Sequence, residues 1–138
     1  MKLTIAKEVQ EKITGLSQAG DRLVLDFEDG IGPFVEAGAS CQLYPNFRLL
    51  FVPKEFPEAE LAVYDDQLAT ELGPVYLKKS SEMLLDEDTQ ITIERAYQRV
   101  QLTAKSGILA ANLPLKRIEL DEEGCWNGQA GRRYGSSC

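Results

Sequence analysis

The stretch that decides the fold spans residues 22–52 and reads RLVLDFEDGIGPFVEAGASCQLYPNFRLLFV. Apolar side chains occupy every second position at both ends of it: Leu23, Leu25 and Phe27 at the start, and Phe47, Leu49 and Phe51 at the end. This period of two is typical of strands that pack one face on a core. The sequence therefore predicts two strands joined by a long glycine-rich connection, and a connection of this length is more often functional than idle.

A short amphipathic helix is predicted before the first of these strands. Four apolar residues fall on one helical face, and charged residues occupy the rest: Ile5, Val9, Ile13 and Leu16. Thr4 is the predicted N-cap, and the helix is expected to end near Gly15.

Strand character returns after residue 60. Five segments are short, rich in β-branched or aromatic residues and separated by turn-forming or charged clusters: LAVY, GPVYLKK, SEMLLD, TQITIE and YQRVQLTA. The acidic triplet at 86–88 is expected to form a hairpin turn, and a last strand is expected over 113–120 with Pro114 at an edge or a strand start. The predicted fold is mainly β with an N-terminal helix, arranged as a β-sandwich or barrel-like single domain.

The length of 138 residues fits one domain, which we place at residues 1–120. Beyond that point the periodicity is lost. The segment 121–138, DEEGCWNGQAGRRYGSSC, contains four glycines and offers little to bury except Trp126 and Tyr134. We therefore expect a glycine-rich, mobile tail.

The composition excludes several classes of function. A net charge of −7 repels nucleic acid and anionic lipid, so neither is an expected partner. The chain has no histidine, which removes Ser/His/Asp and Cys/His catalytic arrangements and zinc sites with histidine ligands. No other nucleophile with a base is recognisable, so the protein is not predicted to be an enzyme.

The start of the chain bears on its location in the cell. The first residues, MKLTIAKEVQEKITGL, alternate charged and apolar side chains and contain no apolar core of signal-peptide length. No run approaches the roughly 18 apolar residues of a membrane span. A cytoplasmic protein with reduced thiols is therefore expected.

Three cysteines, Cys41, Cys125 and Cys138, are the remaining candidates for soft metal ligands. They are too few for a site of four thiolates within one chain, although a dimer could pool them. Cys41 opens an alternating strand after the glycine-rich connection, where a cysteine is either a small buried hydrophobe or a thiolate ligand. Cys125 and Cys138 lie in the tail and are either ligands of a shared metal or exposed thiols.

Carboxylates cluster at the end of the first strand, at Asp26, Glu28 and Asp29. Such oxygens suit a hard cation such as calcium or magnesium. The other interpretation is the solvated end of a strand.

The order of segments resembles a known family. A starting helix LTIAKEVQEKI is followed by a strand ending in DFEDGIGPF, the strand CQLYPNFRLLFV, the segment VYLKKSSEMLLDEDTQITIE and a late SGILAANL. Over roughly residues 1–115 the chain resembles the HesB/IscA-like iron-sulphur cluster biosynthesis family, and looks most like its small Gram-positive branch. The best anchors are DFEDGIGPF and LLDEDTQI.

The resemblance implies a mostly β fold and the binding of iron or an iron-sulphur cluster, generally in dimers or higher oligomers. The family's better known members use one cysteine at the start of a mid-chain strand and a C-terminal CxC. Cys41 falls near the first position. The CxC is missing, because SGILAAN stands at 106–112 where it would be expected, and Cys125 is a displaced substitute.

Two hypotheses of function remain open. The first is a protein of iron-sulphur cluster biosynthesis that binds iron or a cluster through Cys41, with Cys125 as a second metal ligand, in a homodimer or with other assembly proteins. The second is a metal-free module that uses DFEDGIGPF or the acidic surface to bind a protein or a small molecule.

Overall fold

The computed structural model describes residues 1–29, 31–34, 46–122, 126–128 and 132–134. The described chain forms eleven strands, one α-helix and two 3-10 helices, the latter at Glu58–Leu61 and Lys79–Leu84. In chain order the strands and the helix are β1 Lys2–Ile5, α1 Lys7–Leu16, β2 Arg22–Phe27, β3 Phe47–Val52, β4 Asp66–Thr70, β5 Gly73–Leu77, β6 Asp88–Glu94, β7 Arg99–Ala104, β8 Gly107–Ala110, β9 Leu115–Arg117, β10 Trp126–Gly128 and β11 Arg132–Tyr134.

Nine of these strands form two open sheets, and β10 and β11 form a separate hairpin. The larger sheet has the order β4-β5-β2-β3-β9, and the smaller has the order β1-β6-β7-β8. The predicted class, mainly β with an N-terminal helix, is confirmed, and neither sheet closes into a barrel. None of the helices in the described ranges is long and apolar enough to cross a membrane.

The larger sheet is buried on both faces. Strands β2 and β3 are antiparallel, with Leu25 opposite Leu49 and the next pair, Asp26 opposite Arg48, on the reverse face. The Leu25 face packs against α1 and the smaller sheet in a first core, as the alternation predicted. The reverse face carries a second core made largely of aromatic side chains, with Phe34, Phe56, Tyr64 and Trp126 among its members.

The start of the chain differs from its prediction. Residues 2–5 form β1, which pairs in parallel with β6, and Thr4 lies inside this strand. The helix begins at Lys7 with Ala6 as its N-cap, and it buries Val9 and Ile13 as predicted. Pairing with β6 satisfies the backbone of residues 2–5, so a tertiary contact overrides the helical periodicity there.

Two predicted strands are wrong. SEMLLD covers the end of the 3-10 helix Lys79–Leu84 and the two residues after it, and LAVY begins with the last residue of the other 3-10 helix and continues as a turn. Met83 is 84% exposed, so the apolar run in SEMLLD does not mark a buried face. The acidic triplet also does not join two hairpin strands, since it leads from that 3-10 helix into β6.

Two edge strands were not predicted, β4 and β8. Leu68 is the single buried residue of β4, and β8 leaves Ile108 exposed. Edge strands of this kind carry too little hydrophobic alternation to be recognised from a sequence.

A paired carboxylate joins the turn before β2 to strand β9. Asp21 accepts hydrogen bonds from Arg117 Nε at 2.9 Å and Nη2 at 3.1 Å, and one from the Gln18 backbone N–H at 2.8 Å. Burial alone would raise the pKa of the Asp21 carboxyl, but these hydrogen bonds outweigh it and hold the pKa below its ordinary value.

We expect Asp21→Asn to lower the free energy of unfolding by about 1–2 kcal/mol at pH 7. Because the pKa of Asp21 is lower in the folded state, this stabilisation is present above about pH 4 and is lost as the pH falls through the folded value. Urea unfolding at pH 7 and pH 3 should show a smaller difference between the two proteins at pH 3. Glu119→Gln is the control, because Glu119 is exposed and 3.6 Å from Arg117. An equal deficit at both pH values would contradict the assignment.

Candidate functional site

The predicted ligands Cys41 and Cys125 lie outside the described residues, and so does Cys138. The structure describes residues that flank the segments carrying Cys41 and Cys125. Phe34 and Asn46 border the segment that carries Cys41, and Trp126 directly follows Cys125. The flanking residues therefore show which parts of the described chain adjoin Cys41 and Cys125 in sequence.

A hydrogen bond ties the flank of one cysteine segment to that of the other. Trp126 is 2% exposed, and its indole Nε1–H donates to the Pro33 carbonyl oxygen at 3.0 Å. The indole also packs on Phe56, with ring centroids 4.4 Å apart. Pro33 lies close before the segment with Cys41, so this contact brings the residue after Cys125 to the start of that segment.

A buried ion pair lies beside this contact, on the reverse face of the larger sheet. Asp26 and Arg48 are opposite each other on β2 and β3, and Arg48 Nε donates to Asp26 Oδ2 at 2.9 Å. The Tyr64 hydroxyl donates to the other oxygen, Oδ1, at 2.9 Å. Arg48 also donates from Nη2 to the Phe34 carbonyl oxygen. The pair therefore holds the last described residue before the Cys41 segment.

Lys78 completes this buried network from the end of β5. Its ammonium donates to the Phe27 carbonyl at 3.1 Å, to Asp29 Oδ1 at 2.6 Å and to the Ile31 carbonyl. These three bonds use its three donor hydrogens, and the residue is only 3% exposed. Lys78 thus fastens the chain on both sides of residue 30 to the sheet.

The three carboxylates of this region each lie close to a cationic side chain of the network. Asp26 and Asp29 are bonded to cationic side chains, and Glu28 Oε1 lies 3.5 Å from Arg48 Nε. The interpretation as a solvated strand end holds for the exposed Asp29 and in part for the half-buried Glu28, but not for Asp26, which is buried. Among the described residues, no group of three Asp, Glu, Cys or His side chains could hold a metal ion.

Tyr64 is a permanent hydrogen-bond donor in this site. Burial, together with the adjacent Asp26 carboxylate, raises the pKa of its phenol far above the ordinary value. The hydroxyl therefore stays protonated at any physiological pH and positions Asp26. It is not suited to act as a base.

Gly32 lies next to this network. Its φ is 122°, a value that residues with a side chain rarely adopt. We expect Gly32→Ala to lower the free energy of unfolding by about 1–3 kcal/mol through backbone strain. Gly15→Ala is the matched control, since a Cβ there meets nothing within 4 Å and α1 gains a better helix former. Thermal unfolding of both variants measures the effect, and equal midpoints would contradict it.

The sequence analysis missed Arg48, Tyr64 and Lys78. A signal for Arg48 was present, because an arginine and an aspartate occupy the reverse-face positions of two otherwise apolar strands. Charges of opposite sign at such positions indicate a buried pair. Nothing comparable marks Tyr64 or Lys78, because the elements that carry them meet β2 only in the folded chain.

The fold is similar to the folds of two solved structures. A protein from Lactobacillus salivarius, described as a candidate Fe-S biosynthesis protein with a novel fold, superposes with a TM-score of 0.70 and 25% identity over 85% of this chain and 98% of its own. A similarly described protein from Lactobacillus acidophilus gives a TM-score of 0.59 at 12% identity over 85% and 90% of the two chains, and shows the fold alone.

The sequence comparison is more specific. No curated protein matches the chain significantly. Residues 1–117 match the profile of the family described as iron-sulphur cluster biosynthesis, which confirms the resemblance seen in the sequence. The chain belongs to the iron-sulphur cluster biosynthesis family.

Proposed function

We propose that this protein is a carrier in iron-sulphur cluster biosynthesis and that it holds iron or a cluster as cargo on Cys41 and Cys125. Family membership supports the pathway. The observation that supports the two cysteines is the hydrogen bond from Trp126 to Pro33, which joins the residue after Cys125 to the start of the segment with Cys41.

The donor set of the chain agrees with this cargo. Iron-sulphur clusters are held mainly by cysteine thiolates, and the described residues supply no alternative group of three ligands. Cys41 and Cys125 give two thiolates per chain. A homodimer supplies four, which is the number that common clusters require, so the proposal includes dimerisation on loading.

The buried network serves this function by fixing the loop. Lys78 and Arg48 bind backbone carbonyls at Phe27, Ile31 and Phe34, so the approach to the Cys41 segment is fastened to a rigid sheet. Binding by residues on a preorganised scaffold loses less conformational entropy. The protein in this proposal acts as a cytoplasmic carrier that exchanges its cargo with other assembly proteins, and not as an enzyme.

Anaerobic reconstitution with ferrous iron and sulphide tests the proposal. We expect the native chain to develop visible thiolate-to-iron absorption and to retain iron after desalting. Cys41→Ser and Cys125→Ser should each lose most of both signals, because each removes half of the proposed thiolates. Cys138→Ser is the matched control and should load like the native protein.

Two further readouts strengthen the test. Trp126 is the chain's one tryptophan and follows Cys125, so its fluorescence should be quenched on loading of the native protein. Size-exclusion chromatography with light scattering should show a dimer on loading. A native chain that binds no iron would overturn the carrier proposal and leave the metal-free binding module as the function to pursue.

A further inference from the structure

A cavity of about 180 Å³ opens on the reverse face of the larger sheet. It lies between strands β2 and β5 and the 3-10 helix Glu58–Leu61. Its lining consists of Arg22, Val24, Glu58, Leu61, Tyr64 and Tyr76. The walls are therefore mostly apolar and aromatic, with one guanidinium and one carboxylate at the rim.

The guanidinium of Arg22 is only partly satisfied. Its Nη2 donates to Glu58 Oε1 at 2.8 Å. Its Nη1 is buried and has no acceptor among the described residues. A buried donor without a partner is costly and rare in folded proteins, so we expect a bound water or a ligand to supply an acceptor to Nη1.

The partner of Arg22 can be displaced. The Glu58 side chain is 82% exposed, and an ion pair of this kind contributes little to stability. A ligand carboxylate would reach both terminal nitrogens of Arg22 in the two-bond geometry that guanidinium favours. The ligand would then satisfy Nη1 and replace Glu58.

The apolar walls and the volume of the cavity determine what the rest of the ligand, beyond its carboxylate, should be. Val24 and Leu61 offer aliphatic contacts, and Tyr64 is held in place by its bond to Asp26. A dry cavity of about 150 Å³ is known to accept a benzene ring, so a space of this size suits one ring or a branched alkyl group. Longer or polyanionic ligands do not match it.

We infer that this cavity is a binding site for a small monocarboxylate with a ring or branched alkyl body, recognised by Arg22. The inference rests on the cavity and the unsatisfied guanidinium nitrogen, and is independent of whether the protein carries iron. Benzoate is the probe of this class.

Titration of the full ¹⁵N-labelled chain with sodium benzoate tests the site. We expect saturable shifts of the Val24, Leu61 and Tyr76 amides with a Kd of about 0.1–5 mM, as suits so small a ligand. Benzamide, which has the same ring without the charge, should bind at least about tenfold more weakly, because an ionised acceptor forms the stronger hydrogen bonds.

Variants separate this site from general surface binding. Arg22→Gln should weaken benzoate by about tenfold or more, and Glu58→Gln should strengthen it by about twofold to fivefold by removing the competing carboxylate. Arg99→Gln is the control and should bind like the native chain, because Arg99 is an exposed arginine on β7. Thermal unfolding checks that each variant is folded.

The proposal is overturned if benzoate at about 20 mM moves none of these amides. It is equally overturned if benzamide binds as well as benzoate, or if folded Arg22→Gln binds like the native protein. Should Arg22→Gln fail to fold, the benzamide comparison and the Glu58→Gln gain decide the question on the remaining proteins.

Discussion

Asp26→Asn is expected to lower the free energy of unfolding by about 3–5 kcal/mol, since removing one partner of a buried ion pair leaves the other charge uncompensated. Asp26 accepts bonds from Arg48 and Tyr64, and the Lys78 ammonium lies 3.6 Å from its Oδ1. Asparagine keeps the shape of the side chain, so the loss reports the charge. Urea denaturation followed by circular dichroism measures it.

Two comparisons make this test specific. Glu58→Gln breaks an exposed ion pair with Arg22 and should cost less than about 1 kcal/mol. The double variant Asp26→Leu with Arg48→Met removes both partners and should be more stable than Asp26→Asn, because no uncompensated arginine remains. A deficit for Asp26→Asn no larger than that of Glu58→Gln would show that the network does not stabilise the fold.

Trp126→Ala is expected to lower the free energy of unfolding by about 3–5 kcal/mol, the usual cost of truncating a large buried aromatic residue. Its indole fills the second core beside Phe56 and donates to the Pro33 carbonyl. The variant should therefore also weaken retention of iron in the reconstitution experiment, because the flank of Cys125 is no longer held at the Cys41 segment.

Controls separate packing from the hydrogen bond. Tyr97→Ala truncates an exposed aromatic ring in the turn between β6 and β7 and should change stability by less than about 0.5 kcal/mol. Trp126→Phe keeps much of the packing and loses the donor, so it should cost about 1–3 kcal/mol.

The predicted domain boundary at residue 120 would gain support if Trp126→Ala unfolded at the same urea concentration as the native chain.

The predictable part of this fold is the part with one clear hydrophobic face. Leu25 and Leu49 were assigned correctly, because a period of two needs no knowledge of the partner sheet. The neighbouring Leu50 lies on the reverse face, and its burial depends on aromatic residues from four separate parts of the chain. Such a face cannot be inferred from local periodicity.

The candidate site, like the fold, was predictable only where the signal is local in the sequence. The long glycine-rich connection is predicted to be functional from its glycines and length, which stays a prediction, and the sequence also shows the carboxylates at its start as a cluster. Their partners were not, because Lys78 comes from a parallel neighbour of β2 far along the sequence. Cys41 and Cys125 rest on family resemblance, and their assignment as ligands stays a prediction.

The parallel pairing of β1 with β6 has a consequence for synthesis of the protein. Lys2 pairs with Asp88 and Ile5 pairs with Ile91, so β1 acquires its partner only after the long intervening stretch of chain, from α1 to the start of β6, has been made. At about 5–20 residues per second, this interval lasts several seconds. Throughout it, Val9 and Ile13 on the following helix lack the part of the first core that β6, β7 and β8 supply. The nascent chain therefore presents an apolar N-terminal segment to chaperones before the fold can form.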